Sequence, residues 1–305
     1  MLMTRKRLRS PARPQRNIRI TEPAGTPRVR LRGGFRIERL NSDTSFLIVA
    51  RDGTRLVVDP WLVGAEIDGA AFFNRAEHTD PVVHPSNILE CDAIIISLQF
   101  SDHCHEDTIL LFPDNVPIFG SAAAIDRLRK HPILRRRSLC VISDYASPTT
   151  IGFVQLFTIP TSGLLDFTHG GLVFQQNVGR RAPALKPPQS EYIVYAPHGL
   201  ICRGETEKVL RGLRGSCRCL MITCSLYCPP LLLGGAVNLG LEPTLPIVEL
   251  VSPHNIIDCH SEQKLTSGLI PFLSQTNYPT TPAIEKFFAD NGVNVRILTA
   301  SICAV

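Results

Sequence analysis

Several familiar signatures are missing from this 305-residue chain, and each gap narrows the reading. No run of eighteen apolar residues occurs, so no membrane-spanning helix is expected. No apolar core follows the N-terminus, so secretion is not expected, and the ten cysteines read as reduced thiols rather than a disulfide framework. There is no G-x-G-x-x-G. The glycine-rich Leu233-Gly234-Gly235-Ala236 therefore reads as a loop, not a dinucleotide cradle. There is no G-x-S-x-G either, since Thr161-Ser162-Gly163 lacks the glycine ahead of the serine. Paired C-x-x-C spacing is absent. Cys217-x-Cys219 and Cys224-x-x-x-Cys228 flank the apolar Leu220-Met221-Ile222, and all four read as small buried thiols. No repeat at solenoid periods is visible.

What is present supports a sizeable core. Hydrophobic residues make up 44% and charged residues 19%, which is not the balance of a disordered chain. The charge is unevenly placed. Residues 1–33 hold ten basic residues and one acid, Glu22, a charge of +9; with +5 for the whole chain, the remainder carries −4. We read 1–33 as a basic disordered arm and 34–305 as the folded domain. The arm is open to three roles: a solvated tail, an organelle presequence, or a contact for nucleic acid or an anionic membrane. Nucleic acid is expected only through the arm. The expected location is cytoplasmic, or organellar if the arm is a presequence.

From Phe35 onward the pattern is mixed α/β. Residues 45–50 and 55–58 are apolar runs joined by Asp52-Gly53, a strong hairpin signal that ends at Asp59-Pro60-Trp61-Leu62. Residues 63–90 have no clear period and read as a loop or short lid, with His78 and His84 in it. Ala93-Ile94-Ile95-Ile96-Ser97 reads as a buried strand. Ser121 is placed to cap a helix over 122–131. Residues 153–159 and 171–176 read as an antiparallel pair, and 179–188, with Arg180, Arg181 and Lys186, as a surface loop. Further strands are expected at 192–195, 220–222 and 295–298, and helices at 205–213 and 283–290.

The chemistry-bearing stretch is Ser101-Asp102-His103-Cys104-His105-Glu106-Asp107-Thr108, just past a buried strand. Two histidines one residue apart at a strand end can point the same way, and an acid two residues on can close on the same point. Neutral imidazoles and a carboxylate suit Zn, Fe or Mn. His198 and His260 also follow apolar runs, so strand ends on one rim would gather them with His103, His105 and Asp107. His169 is a further candidate, of uncertain register.

In order and spacing these segments resemble the metallo-β-lactamase superfamily, from about Phe35 to Leu298. His103-Cys104-His105-Glu106-Asp107-Thr108 resembles its H-x-H-x-D-H motif. Asp59-Pro60-Trp61, Tyr195-Ala196-Pro197-His198-Gly199 and His260-Ser261-Glu262-Gln263-Lys264 resemble segments of its ascorbate-phosphate-lactonase-like branch. The resemblance implies an α/β four-layer αββα sandwich. It also implies a metal-dependent hydrolase, in the manner of ribonuclease Z and hydroxyacylglutathione hydrolase. The first metal would take the two motif histidines and a later loop histidine. The second would take the motif Asp, its last His and a C-terminal His, with a carboxylate bridging both. Carried over, His103 and His105 fit the first site, and Asp107 and His260 the second. The chain departs at Thr108, where the last motif His stands, at Thr161–Gly163, where no loop histidine occurs, and at His198, in the bridging position. One divalent ion, Zn ahead of Fe or Mn, is therefore expected rather than two, held by His103, His105, Asp107, His198 and His260, with Asp107 as the base. Two functions stay open. One is a hydrolase of a small ester, lactone or phosphate-bearing molecule; the other is an inactive family member that binds a ligand or partner.

Overall fold

The computed structural model describes residues 29–30, 34–163, 166–177 and 190–298. The expected arm lies outside them except for the short strand Val29–Arg30, as do the 179–188 loop and Cys303. Two seven-stranded sheets dominate, and in each the spatial order follows the chain. The first runs Val29–Arg30, Arg36–Arg39, Phe46–Val49, Arg55–Val58, Ala93–Ile96, Ile118–Gly120 and Leu139–Val141. The second runs Thr149–Ile151, Val154–Ile159, Gly171–Asn177, Ser190–Ala196, Ser216–Ile222, Asn255–Asp258 and Arg296–Ile297. Both open with antiparallel pairings and then turn parallel. The change comes at Arg55–Val58 beside Ala93–Ile96, and at Ser190–Ala196 beside Ser216–Ile222. Parallel strands deliver their C-terminal ends to one rim, the usual place for a site in an open α/β sheet.

Alternation along the strands builds the layers. Phe46, Ile48, Ala93 and Ile95 face the second sheet, where they meet Phe174, Ile193, Tyr195 and Met221. Their neighbours Leu47, Ile94 and Ile96 face outward onto Ala124, Ile125 and Leu128 of the helix Ala122–Lys130. On the far side, Val194, Leu220 and Ile222 meet Leu210, Val248 and Phe288, from the helices Gly204–Gly212, Leu245–Val251 and Thr281–Asp290. The order is helix, sheet, sheet, helix. Phe46 and Tyr195 pack edge to face across the seam at 6.1 Å, a contact worth about 0.5–1.5 kcal/mol beyond burial.

The hairpin around Asp52-Gly53 forms as its sequence predicts, with Phe46 opposite Val58 and Val49 opposite Arg55. Ser121 accepts from the Ala124 amide and caps its helix. The stretch 63–90 is more ordered than a lid. Glu66–Ile67 and Arg75–Glu77 pair, and Leu265–Ser267 joins them as a third strand from near the C-terminus. That partner lies almost 200 positions away, so no local period could announce it.

The buried thiols are packing groups. A register shift after Tyr192 leaves Arg218 out of the residue-by-residue pairing with the neighbouring strand. Cys217 consequently faces the outer helices while Cys219 faces the sheet seam, although only one residue separates them. Side chains on opposite faces cannot share an ion. Burial pushes both thiols far up, along with those of Cys224 and Cys259. Iodoacetamide on the native protein should therefore leave Cys104, Cys217, Cys219, Cys224 and Cys259 unmodified until denaturant is added, as read by peptide mass spectrometry. Labelling of Cys219 as fast as that of the less buried Cys228 would contradict this packing.

Candidate metal centre

The strand ends bring four side chains to one place. Asp102 and His103 follow Ala93–Ile96, His198 follows Ser190–Ala196, and His260 follows Asn255–Asp258. One ligand-type atom from each lies within 4.8 Å of all the others, and all four residues are buried. The Nε2 atoms of His103 and His198 are 2.9 Å apart. Asp102 Oδ2 is 3.5 Å from His103 Nε2 and 3.3 Å from His260 Nε2.

Each imidazole is fixed from behind. His103 Nδ1 donates to Asp59 Oδ2 at 2.8 Å, His198 Nδ1 to Asn238 Oδ1 at 2.8 Å, and His260 Nδ1 to Asp43 Oδ1 at 2.7 Å. The outer nitrogens are occupied, so the three Nε2 atoms turn inward. This outer-partner arrangement is what metal-ligating histidines use to set ring orientation and tautomer. Bonds of about 2.0–2.1 Å let two donors to one ion stand up to about 4 Å apart. The 2.9, 3.3 and 3.5 Å pairs fall inside that limit, so the donor set fits a divalent ion.

The backbone contributes as well. His260 and Asp59 both adopt left-handed conformations, with φ of 58° and 43°. Such positions cost a non-glycine residue about 1–3 kcal/mol and persist only where the surroundings hold them. Asn238 is held by its own amide, which donates to the His260 carbonyl at 3.2 Å. Lys264 Nζ reaches Asp43 Oδ2 at 2.7 Å and lies 5.0 Å over the Trp61 ring.

The structure does not bring His105 or Asp107 to the cluster. The same-side argument needs an extended chain, but the strand ends at Ile96 and the backbone turns, with Cys104 N donating to Phe100 O. His105 becomes the N-cap of the short helix Glu106–Ile109 and accepts from the Thr108 amide at 3.3 Å. Its Nε2 faces the Ala65 carbonyl. Asp107 stands exposed on that helix, away from the cluster. Thr108 is buried and accepts from the Leu62 amide at 3.0 Å, tying the helix to the Asp59-Pro60-Trp61-Leu62 segment.

Other histidines are absorbed elsewhere. His78 stacks on Trp61 at 3.8 Å and pairs with Glu262. His84 caps a short turn, His169 pairs with Asp166 at 2.9 Å, and His254 meets Arg218. Sequence reasoning missed Asp102, although an acid directly before a strand-end histidine is a usable signal. It also missed Asp43 and Asn238, which carry none.

Electrostatics follow from burial and neighbours. Burial opposes charge on His103, but Asp102 and Asp59 outweigh it and raise its pKa to about 9. Burial and the adjacent His260 and His103 push His198 well below its ordinary value. Burial would raise Asp102, yet His103, His260 and Lys264 hold it low and ionised. Metal-free protein therefore carries an imidazolium at His103 that donates to a neutral His198. Because the folded pKa lies above the ordinary 6.5, this proton stabilises the fold fully below about pH 6.5. The contribution fades as pH rises through about 9. Long-range ¹⁵N spectra of chelator-treated protein should show one imidazolium titrating near 9 that disappears in His103→Gln. Titration near 6.5 would contradict the assignment.

No family model matches the chain, and no curated protein matches it. Solved structures do. A possible metal-dependent hydrolase from Veillonella parvula DSM 2008 superposes with a TM-score of 0.58, covering 90% of this chain and 100% of its own at 14% identity. An isothiocyanate hydrolase from Delia radicum gut bacteria gives 0.58, covering 87% and 99% at 17% identity. CmlA, a diiron β-hydroxylase from Streptomyces venezuelae, gives 0.54, covering 90% of this chain and 54% of its own at 15% identity. At such identities the likeness is one of fold. The architecture is the four-layer αββα sandwich of the metallo-β-lactamase fold, in divergent form.

Proposed function

We propose that this chain is a metal-dependent hydrolase of a small ester, lactone or phosphate-bearing molecule. It holds one divalent ion, Zn, through Asp102, His103, His198 and His260. The observation that carries the reading is the inward convergence of three imidazoles whose outer nitrogens are all locked by buried acceptors. Such an ion supplies Lewis acidity, which polarises a carbonyl or phosphoryl oxygen and eases the deprotonation of water.

The H-x-H-x-D-H motif then reads five residues earlier than its histidine spacing suggests. Its Asp-His pair falls on Asp102-His103, the residues that meet His260, and its first two histidines fall on Leu98 and Phe100. Neither can ligate, so the first of the family's two sites is absent and the second is kept. His198, in the bridging position, supplies a fourth donor. The place of Asp107 moves with the register to Asp102, whose ionised carboxylate lies among the Nε2 atoms and can orient a water. Lys264 Nζ, 4.0 Å from Asp102 Oδ2, helps keep that carboxylate charged.

A second reading has its own observation. The 2.9 Å contact between His103 and His198 satisfies both rings without a metal, as an inactive binding protein would require. Elemental analysis of protein purified without chelator separates the two, with about one equivalent of Zn, Fe or Mn expected. His260→Ala and Asp102→Asn should each lower Zn affinity at least 100-fold, and Asn238→Ala by 10–100-fold. His105→Ala and Asp107→Ala should leave it within about twofold. Protein that neither carries metal nor takes it up would sink the hydrolase reading.

A further inference from the structure

The cluster opens into a cavity of about 240 Å³. We propose that its substrate is an uncharged molecule with an apolar tail, not a phosphate-bearing one. The reacting end rests on the hydrolase reading above; the tail rests on the cavity alone.

Charge decides the first half. Asp68, Asp102 and Glu262 line the cavity as carboxylates, beside Glu66, whose carboxyl burial and Asp102 push up to about 8; Lys264 is the one cation among the described lining residues, and no arginine is among them. Lys264 is already committed, bonded to Asp43 at 2.7 Å and seated over Trp61. Glu262 is held by the Thr79 and Asp80 amides, and Asp68 by the Ser101 amide, so these carboxylates are fixed parts of the wall. Phosphate recognition relies on free Arg or Lys forks or on a helix N-terminus. In metal-free protein a phosphate ester of charge about −2 would instead meet the carboxylates of Asp68, Asp102 and Glu262, of its own sign.

The second half comes from the apolar lining. Ala76, Phe100, Pro229, Leu233, Val237 and Ile270 form the apolar part of the wall. Phe100 stands edge-on to His198, with ring centroids 6.4 Å apart, so the apolar surface begins beside the reacting end. Apolar residues also stand exposed on the elements that carry two of these lining residues. Leu233 ends the turn Leu231–Leu233, and Ile270 lies in the helix Leu269–Leu273. Cys228 pairs with Gln275, which sets these two elements side by side. On them Leu231, Leu232 and Phe272 are 88%, 98% and 85% exposed. Isolated exposed apolar residues are ordinary, but a set on the two elements that supply Leu233 and Ile270 to the cavity offers a tail a path outward.

Titration calorimetry on the full chain tests this, in chelator-treated and Zn-loaded protein, with octanamide, acetamide and octyl phosphate as probes. In chelated protein octanamide should bind at least tenfold more tightly than either of the other two. Leu233→Asp and Ile270→Asp should each weaken octanamide at least tenfold, with Ile270→Ala intermediate and the fold checked by circular dichroism. In Zn-loaded protein the preference for octanamide over acetamide should persist. Equal or tighter binding of octyl phosphate in chelated protein would overturn the charge argument, and equal binding of acetamide and octanamide would overturn the tail. Failure to load Zn would remove the hydrolase reading, yet the chelated protein would still decide the tail.

Discussion

One buried carboxylate organises the rim. Asp59 ends the strand Arg55–Val58 and is fully enclosed. It accepts from the Ser97 amide at 2.7 Å, the Ser97 hydroxyl, the Tyr195 hydroxyl at 2.7 Å and His103 Nδ1 at 2.8 Å. An unpaired carboxylate at this depth would cost several kcal/mol, so these donors are a condition of the fold rather than an addition to it. They come from both sheets. The hydrogen bond that orients His103 is therefore part of the same group that registers one sheet against the other. The left-handed turn at Asp59 aims the carboxylate inward, and Pro60 ends the strand just beyond it.

The layers were largely readable from the sequence, because local alternation and turn chemistry produce them. The hairpin at Asp52-Gly53, the run Ala93–Ile96 and the cap at Ser121 each carry their own signal. The site was readable only by kind. Histidines after apolar runs pointed to His103, His198 and His260, and the structure gathers those three. His105 and Asp107 were chosen by assuming that strand geometry continues past Ile96. It does not, and a turn of a few residues sends them elsewhere. Asp43 and Asn238 were invisible because their role is a contact with a distant ring, across 217 positions in the case of Asp43 and His260.

The fold leaves the chemistry open. Among similar structures are an isothiocyanate hydrolase and a diiron β-hydroxylase, two unlike reactions on one architecture. At the rim of this chain Asp102 stands among three imidazoles, and Phe100 lies edge-on to one of them, that of His198. The apolar ring of Phe100 alters the surroundings too, since a residue that cannot ligate becomes part of the wall a substrate would touch.

The four donors are also divided between the halves of the chain. Asp102 and His103 belong to the first sheet, and His198 and His260 to the second. Neither half alone holds all four of these donors. A cation bound here would fasten the two sheets like a rivet, closing a loop of 95 positions between His103 and His198. Its binding energy would then be shared with the cohesion of the whole molecule. Removing it would loosen the seam between the sheets as well as empty the rim.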